Sequence, residues 1–301
     1  MPTNQAGHSD FDVELANNKK VVDAMLERLL AEQKQIEPNI MQAMRYTLEG
    51  PGKRIRAAML LWCCRAVSGT INENAKIAAA AVEMVHTYSL IHDDLPAMDN
   101  DDMRRGKPTC HKKFDEATAI LAGDALLTFA FEVLSERINN PAAAVALIGE
   151  LAAAAGPAGM IAGQMADLRS QKKKGNRELL EYIHTNKTAK MFHAAAAMGA
   201  ICGDADRRQY ESLGEYGLKI GLCFQITDDI LDVCSSSEQL GKTAGKDTKA
   251  DKVTYPAVIG LEKSREIVRE LAQQAIDELQ SFGQEAVFLR QLAMELLDRK
   301  K

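Results

Sequence analysis

No two cysteines in this chain are spaced as CxxC, and none of the six (Cys63, Cys64, Cys110, Cys202, Cys223, Cys234) has metal-ligand spacing. The amino terminus, Met1 to Phe11, also lacks the apolar core of a signal peptide. These absences argue against a disulfide framework or a zinc site and predict reduced, mostly buried thiols in a cytoplasmic protein. Positive charge is not in excess: the net charge is −5, which gives no electrostatic reason to expect a nucleic-acid partner. Alternating strands flanking a hairpin turn are missing, as are a Pro/Ser linker and an internal repeat, so the chain reads as one domain spanning 1–301. One long apolar stretch, Pro141 to Ala166, carries only Glu150 and contains Gly159-Met160-Ile161-Ala162-Gly163, the small-residue spacing of packed membrane helices. It is mostly alanine, is broken at Gly156-Pro157 and lacks flanking aromatics, so a buried helix is expected rather than a membrane span.

What the chain does contain is helix formers. Hydrophobic residues make up 46% of its 301, enough for a sizeable core. Alanine-rich runs such as Ala78–Val85, Ala142–Ala155 and Ala194–Ala197 have few β-branched residues. The fold predicted is all-α, a single bundle of about ten helices with short connectors. Glu49-Gly50-Pro51-Gly52 ends one helix, and Asp204 is placed as the N-cap of the helix that reaches Asp228. The longest connector, Ser235 to Lys252, is rich in Ser, Lys, Thr, Gly and Asp and has no core pattern.

Two acidic clusters carry the chemistry: Asp93-Asp94-Leu95-Pro96-Ala97-Met98-Asp99 and Asp228-Asp229-Ile230-Leu231-Asp232. Each follows an apolar run, where an unpaired charge is costly. Asp228 and Asp232 are i and i+4 on one helix face, and Gln225 joins that face. A solvated acidic face is the plain alternative, but Phe224, Ile226, Ile230, Leu231 and Val233 surround these acids. In the first cluster Asp93 and Asp99 are six apart, about 120° off a shared face, and Pro96 breaks the helix, so a distorted turn must bring Asp99 round. His86 lies two turns before Asp93, roughly 10 Å away; as a lone helical histidine it is equally readable as a packed core residue. Arg104 and Arg105 either neutralise the acids or capture phosphate oxygens. Lys53, Arg54 and Arg56 sit at a helix start, which disfavours basic charge unless an anion binds there. Acidic clusters beside arginine pairs suit hard cations and phosphates.

These residues resemble a family. His86 to Asp99 followed by Arg104-Arg105-Gly106-Lys107-Pro108-Thr109 is similar to the first aspartate-rich region of the trans-prenyltransferases, or polyprenyl synthetases. Phe224 to Asp232 resembles the second, while Gly52-Lys53-Arg54-Ile55-Arg56 and Lys187-Thr188 fall in the family's order. The resemblance covers about 45–260 and is closest to the bacterial farnesyl-forming branch, whose first motif has the same Leu-Pro insertion. It departs at Ala57, where the family often has proline. It implies a helical bundle around a central cavity, usually homodimeric, that condenses isopentenyl diphosphate with dimethylallyl and geranyl diphosphates. It implies three Mg2+ ions, with Asp93, Asp99 and Asp228 as ligands and Asp94, Asp229 and Asp232 in support. By the same resemblance Arg104, Lys187 and Lys242 hold the allylic diphosphate, while Lys53, Arg56, His86 and Arg105 hold that of isopentenyl diphosphate. Thr188 and Gln225 stand beside the developing carbocation.

Tyr88 and Ser89, five and four residues before Asp93, occupy the family's chain-length positions. An aromatic at the former implies a farnesyl product, with geranylgeranyl diphosphate as the alternative. Periodicity is silent here, since Tyr88 lies about 140° from Asp93 on an ideal helix. A terpene cyclase would lack the second basic set and line its cavity with aromatics, which are only 5% of this chain. A non-catalytic partner subunit would lose an aspartate motif, and both are intact.

Overall fold

The computed structural model describes residues 5–170, 175–234 and 254–299. In chain order the helices are α1 (Gln5–Glu32), α2 (Pro38–Leu48), α3 (Ile55–Ser68), α4 (Glu73–Asp93), α5 (Cys110–Lys113), α6 (Glu116–Arg137), α7 (Pro141–Ala155) and α8 (Met160–Ser170). They continue with α9 (Arg177–His184), α10 (Lys190–Cys202), α11 (Arg207–Cys234), α12 (Tyr255–Ile259), α13 (Leu261–Glu278) and α14 (Val287–Asp298). The all-α class predicted from composition is the fold observed. The four-residue α5 and five-residue α12 are too short to carry a hydrophobic period, and the sequence reading does not find them.

Three helices form the centre because they are apolar around most of their circumference. In α3 every residue from Ala57 to Cys64 is buried, and Ala78–Ala81 of α4 and Ala194–Ala197 of α10 are inaccessible. Runs of alanine let neighbouring backbones approach closely: α4 packs most extensively on α6, and α10 on α11 and α3. The single tryptophan, Trp62, sits between Phe11 of α1 and Phe288 of α14, with ring centroids 5.6 and 6.0 Å away. It ties both ends of the described chain to the centre.

Caps fix where helices begin. Asn72, Asp115, Asn140 and Asn176 each accept from a backbone N–H of the helix that follows. Asp204 is not the cap of α11. It has φ 60, and Asp206 instead accepts from Gln209 N at 2.8 Å while Gln209 Oε1 accepts from Asp206 N at 3.0 Å, a reciprocal capping box.

A small hairpin also departs from expectation. Met103–Arg104 (β1) pairs antiparallel with Lys107–Pro108 (β2) around Arg105 and Gly106, which have φ 50 and 77. Successive left-handed residues are what a two-residue hairpin turn requires, and strands of two residues leave no alternation to read.

The helix Glu116–Arg137 and the stretch Pro141–Ser170 are long and apolar enough to cross a membrane by length and composition. The second is interrupted between Ala155 and Met160, as Gly156-Pro157 predicts, and Leu126, Phe129, Leu147 and Leu151 join the common core. Five of the six cysteines are buried and all six are free.

Candidate active site

The end of α4 places the first acidic cluster. After Asp93 the chain folds back in a turn in which Asp99 N donates to Asp93 O at 2.8 Å and Asn100 N to Leu95 O at 3.1 Å, so the required distortion is present. Thr109 Oγ1 closes the following loop by donating to Asp101 O at 2.7 Å. The hairpin then carries two arginines with different tasks. Arg104 Nε lies 2.9 Å from both oxygens of buried Asp94, with Nη2 2.6 Å from Oδ1. Arg105 Nη1 donates to Pro51 O at 2.8 Å and fastens the hairpin over the basic turn before α3.

In that turn Arg54 caps α3 in a left-handed conformation, φ 53, a strained state for a residue with a Cβ. It is held there by bonds to Asp23 Oδ1 (3.1 Å), buried Glu83 Oε2 (3.1 Å) and Leu48 O. The anchored backbone leaves Lys53 exposed and sends Arg56 inward, where its guanidinium lies 4.5 Å from the Phe192 ring centre and 3.5 Å from His86 Nε2. Burial lowers Arg56 to about 10, and burial followed by the field of Arg56 and Arg105 keeps His86 well below its ordinary range.

Between α9 and α10, Thr185–Ala189 forms a π-helical turn closed by Lys190 N–H to Thr185 O. Such turns recur at functional sites because they turn out side chains that an α-helix would align elsewhere. Here they are Lys187, whose Nζ donates to Asp167 Oδ2 at 2.6 Å, and Thr188, whose hydroxyl donates to Gln225 Oε1 at 3.0 Å. The turn presses so closely on α8 that a Cβ on Gly163 would overlap the backbone of Lys187. That contact, rather than membrane pairing, accounts for the glycine.

On α11, Asp228 Oδ1 lies 2.7 Å from Arg299 Nη1, and Arg299 in turn lies over Phe224. Asp229 and Asp232 are buried, so this is not a solvated acidic face.

A cavity of about 440 Å³ gathers Arg56, His86, Tyr88, Ser89, Asp93, Lys187 and Thr188. Leu127, Met160 and Met191 give it apolar wall as well. The volume is that of a small-molecule site. A second hollow of about 50 Å³ shares His86 and holds Arg54, Arg104 and Arg105 beside Asp94. Gln225 reaches the larger cavity through Thr188, whereas Lys53 and Asp228 do not line it. Lys242 and the connector Ser235–Lys252 lie outside the described residues. The sequence alone does not single out Asp167, Glu83 or Arg299. Asp167, a lone acid among Met160–Leu168, carried a weak signal, while the other two are joined to the site only by tertiary contacts.

Asp93 bears on a cation. Burial first, then Asp99, push its acid up to about 6, against 3.8 for an ordinary aspartate. A carboxylate held from water beside a second one gains from a positive partner. Among the described residues no three His, Cys, Asp or Glu side chains converge as a ready metal site. What the buried Asp93 beside Asp99 suits is a divalent cation that takes its remaining oxygens from a ligand, as Mg2+ does with phosphates.

The polyprenyl synthetase family matches residues 37–290. The chain is 51% identical over 255 residues to a chloroplastic heterodimeric geranylgeranyl pyrophosphate synthase large subunit of Arabidopsis thaliana, covering 82% of this chain and 68% of that protein. The apo structure of an FPP/GFPP synthase from Zymomonas mobilis superposes with TM-score 0.80 at 37% identity, covering 94% of this chain and 99% of that one. A geranyltransferase from Helicobacter pylori, complexed with magnesium and isoprenyl diphosphate, gives TM-score 0.80 at 33% identity, covering 95% and 96%. Further curated relatives are also plant geranylgeranyl pyrophosphate synthases, so they do not carry the expected bacterial farnesyl-forming branch. The match over most of its length makes this chain a member of the polyprenyl synthetase family, transferases that elongate prenyl chains with Mg2+.

Proposed function

We propose that the protein condenses isopentenyl diphosphate with allylic diphosphates and releases geranylgeranyl diphosphate. The observation that carries the reading is the joining of charge and apolar surface in one cavity, lined by Asp93, Arg56 and Lys187 together with Leu127, Met160 and Met191. A diphosphate head and a prenyl tail need that pairing. The twenty-carbon product is favoured by the names of the curated relatives.

Asp93, Asp99 and Asp228 are the residues assigned to hold Mg2+, three ions by family resemblance. When bound, the metal neutralises charge on a leaving diphosphate as a Lewis acid. Arg104, Lys187 and Lys242 are assigned to the allylic diphosphate, and Lys53, Arg56, His86 and Arg105 to that of isopentenyl diphosphate. The allylic C1–O bond breaks, and its electron pair leaves with the diphosphate. The C3=C4 bond of isopentenyl diphosphate attacks C1, leaving a tertiary cation at C3. Loss of a proton from C2 restores a double bond, and the released diphosphate takes up that proton. The apolar walls exclude water that would quench the cation. His86 is kept neutral by burial and by the neighbouring arginines, so it can meet a headgroup only as a neutral imidazole beside Arg56.

A second reading, farnesyl diphosphate as product, is supported by Tyr88, which is 6% exposed and lines the cavity as a steric limit would. Incubation of the purified protein with isopentenyl diphosphate and dimethylallyl, geranyl or farnesyl diphosphate, followed by chromatography, decides it. A product that stops at fifteen carbons, and no turnover of farnesyl diphosphate, would select the second reading. No elongation of any primer would reject both. We also place the enzyme in the cytoplasm, as its free cysteines favour, and expect a homodimer.

A further inference from the structure

We infer that Asp229 is a positioning residue that sets the direction of the hydrogen bonds leading to Thr188, so that the threonine shows its lone pairs, not its proton, to the cavity. The inference rests on the prenyl-transfer reading and adds to it a residue that touches no reacting atom.

Asp229 is buried, and its Oδ2 accepts from Tyr255 N at 3.0 Å, with His184 Nε2 3.5 Å away. Its Oδ1 accepts from Gln225 Nε2 at 3.2 Å. A carboxylate only accepts, so it selects the amide nitrogen of Gln225 and turns the amide oxygen the other way. That oxygen is 3.0 Å from Thr188 Oγ1, and it too only accepts. The hydroxyl must spend its single proton on Gln225. Its remaining capacity is two lone pairs, and Thr188 lines the 440 Å³ cavity. A hydroxyl oriented this way stabilises a neighbouring cation, whereas the opposite orientation would present a positive end to it. Fixed dipoles of this kind act without reorganisation when charge develops.

Asp229→Asn tests this with little change of shape. The asparagine oxygen can keep the bond from Tyr255 N, while its amide now donates toward Gln225 and favours the reversed chain. The readout is a pair of ligands: an aza-analogue of the allylic diphosphate with a tertiary ammonium at the cationic centre, and its neutral carbon isostere. With Mg2+ present, the preference for the ammonium analogue falls roughly tenfold in Asp229→Asn while the neutral isostere binds as before. The kcat for elongation falls with it, and KM for both diphosphates holds. In a Thr188→Val background, the same substitution leaves the preference unchanged. Gln225→Leu, which breaks the chain from its other end, lowers the preference in the same way and covers the case in which Asp229→Asn does not fold. Equal weakening of both ligands, or an undiminished effect in Thr188→Val, would overturn the inference and make Asp229 a general support of the neighbouring acids. Failure of the wild type to elongate any primer would instead reject the functional reading.

Discussion

Arg104 grips Asp94 across the mouth of the first aspartate turn, with Nε 2.9 Å from each carboxylate oxygen. The aspartate is almost wholly buried and the arginine a third exposed, so the acid depends on the pair more than the base does. Arg104→Ala is therefore expected to destabilise the protein by about 2–4 kcal/mol, because it strands a buried carboxylate. It should also raise KM for the allylic substrate. Asp94→Ala with Arg104→Ala should recover part of the stability but none of the KM. Thermal melts alongside kinetics with each substrate varied separately would show whether the two effects part in this way.

Asp93 predicts an unusual pH profile for the metal-free protein. Its folded acid lies near 6 and its unfolded one near 3.8, so between these values the folded state holds the extra proton. The contribution of Asp93 to stability is then full below about pH 4, falls as pH rises towards 6, and is gone above. Melting in chelator from pH 4.5 to 7.5 should show the fall in wild type and a flatter curve in Asp93→Asn. Stabilisation by Mg2+ with inorganic diphosphate should be greater at pH 7 than at pH 5 in wild type.

Tyr88→Ala should lengthen the product, because the ring is buried in the cavity wall and its loss deepens the space for a tail. Truncating a buried aromatic costs about 3–5 kcal/mol, so the folded fraction must be measured first. If chromatography finds the same product from the folded variant, Tyr88 is packing and the limit lies elsewhere.

Gly163→Ala should be far worse than an exposed helical Gly→Ala change, which usually stabilises. The added methyl meets the backbone of Lys187 rather than a side chain that can swing away. Loss of about 1–3 kcal/mol from overpacking, with displacement of Lys187 and a sharp fall in kcat, is expected. A stable, fully active variant would mean that α8 can shift without disturbing the turn.

The helical class and both acidic motifs were legible because they are local. Alanine runs and apolar stretches leading into carboxylates need no partner to be seen. Even the bent path to Asp99 could be inferred from Pro96 and helix geometry. The pairing of Asp167 with Lys187, of Arg54 with Glu83 and of Asp228 with Arg299 could not, since each joins elements that approach only after folding. The β1–β2 hairpin was hidden for a different reason. Its turn begins with an arginine where an Asn or Gly would have signalled a left-handed residue, and its strands are too short to alternate. Tyr88 shows the limit of periodicity: it stands well round the helix from Asp93, yet both line the same cavity.

The π turn at Thr185–Ala189 gives this stretch a counted length. It holds one more residue than an α turn between the same hydrogen-bonded ends. Deleting any residue within it would let the backbone relax into a continuous, better-bonded helix through α9 and α10. The relaxation would also turn one side against the other by about 100° and shorten the run by about 1.5 Å. Lys187 and Thr188 could then not both keep their present bearings on Asp167 and Gln225 without unseating α10 from the centre. A deletion that improves the local helix while dismantling the site would mark these positions as ones where chain length, and not only side-chain identity, encodes the chemistry.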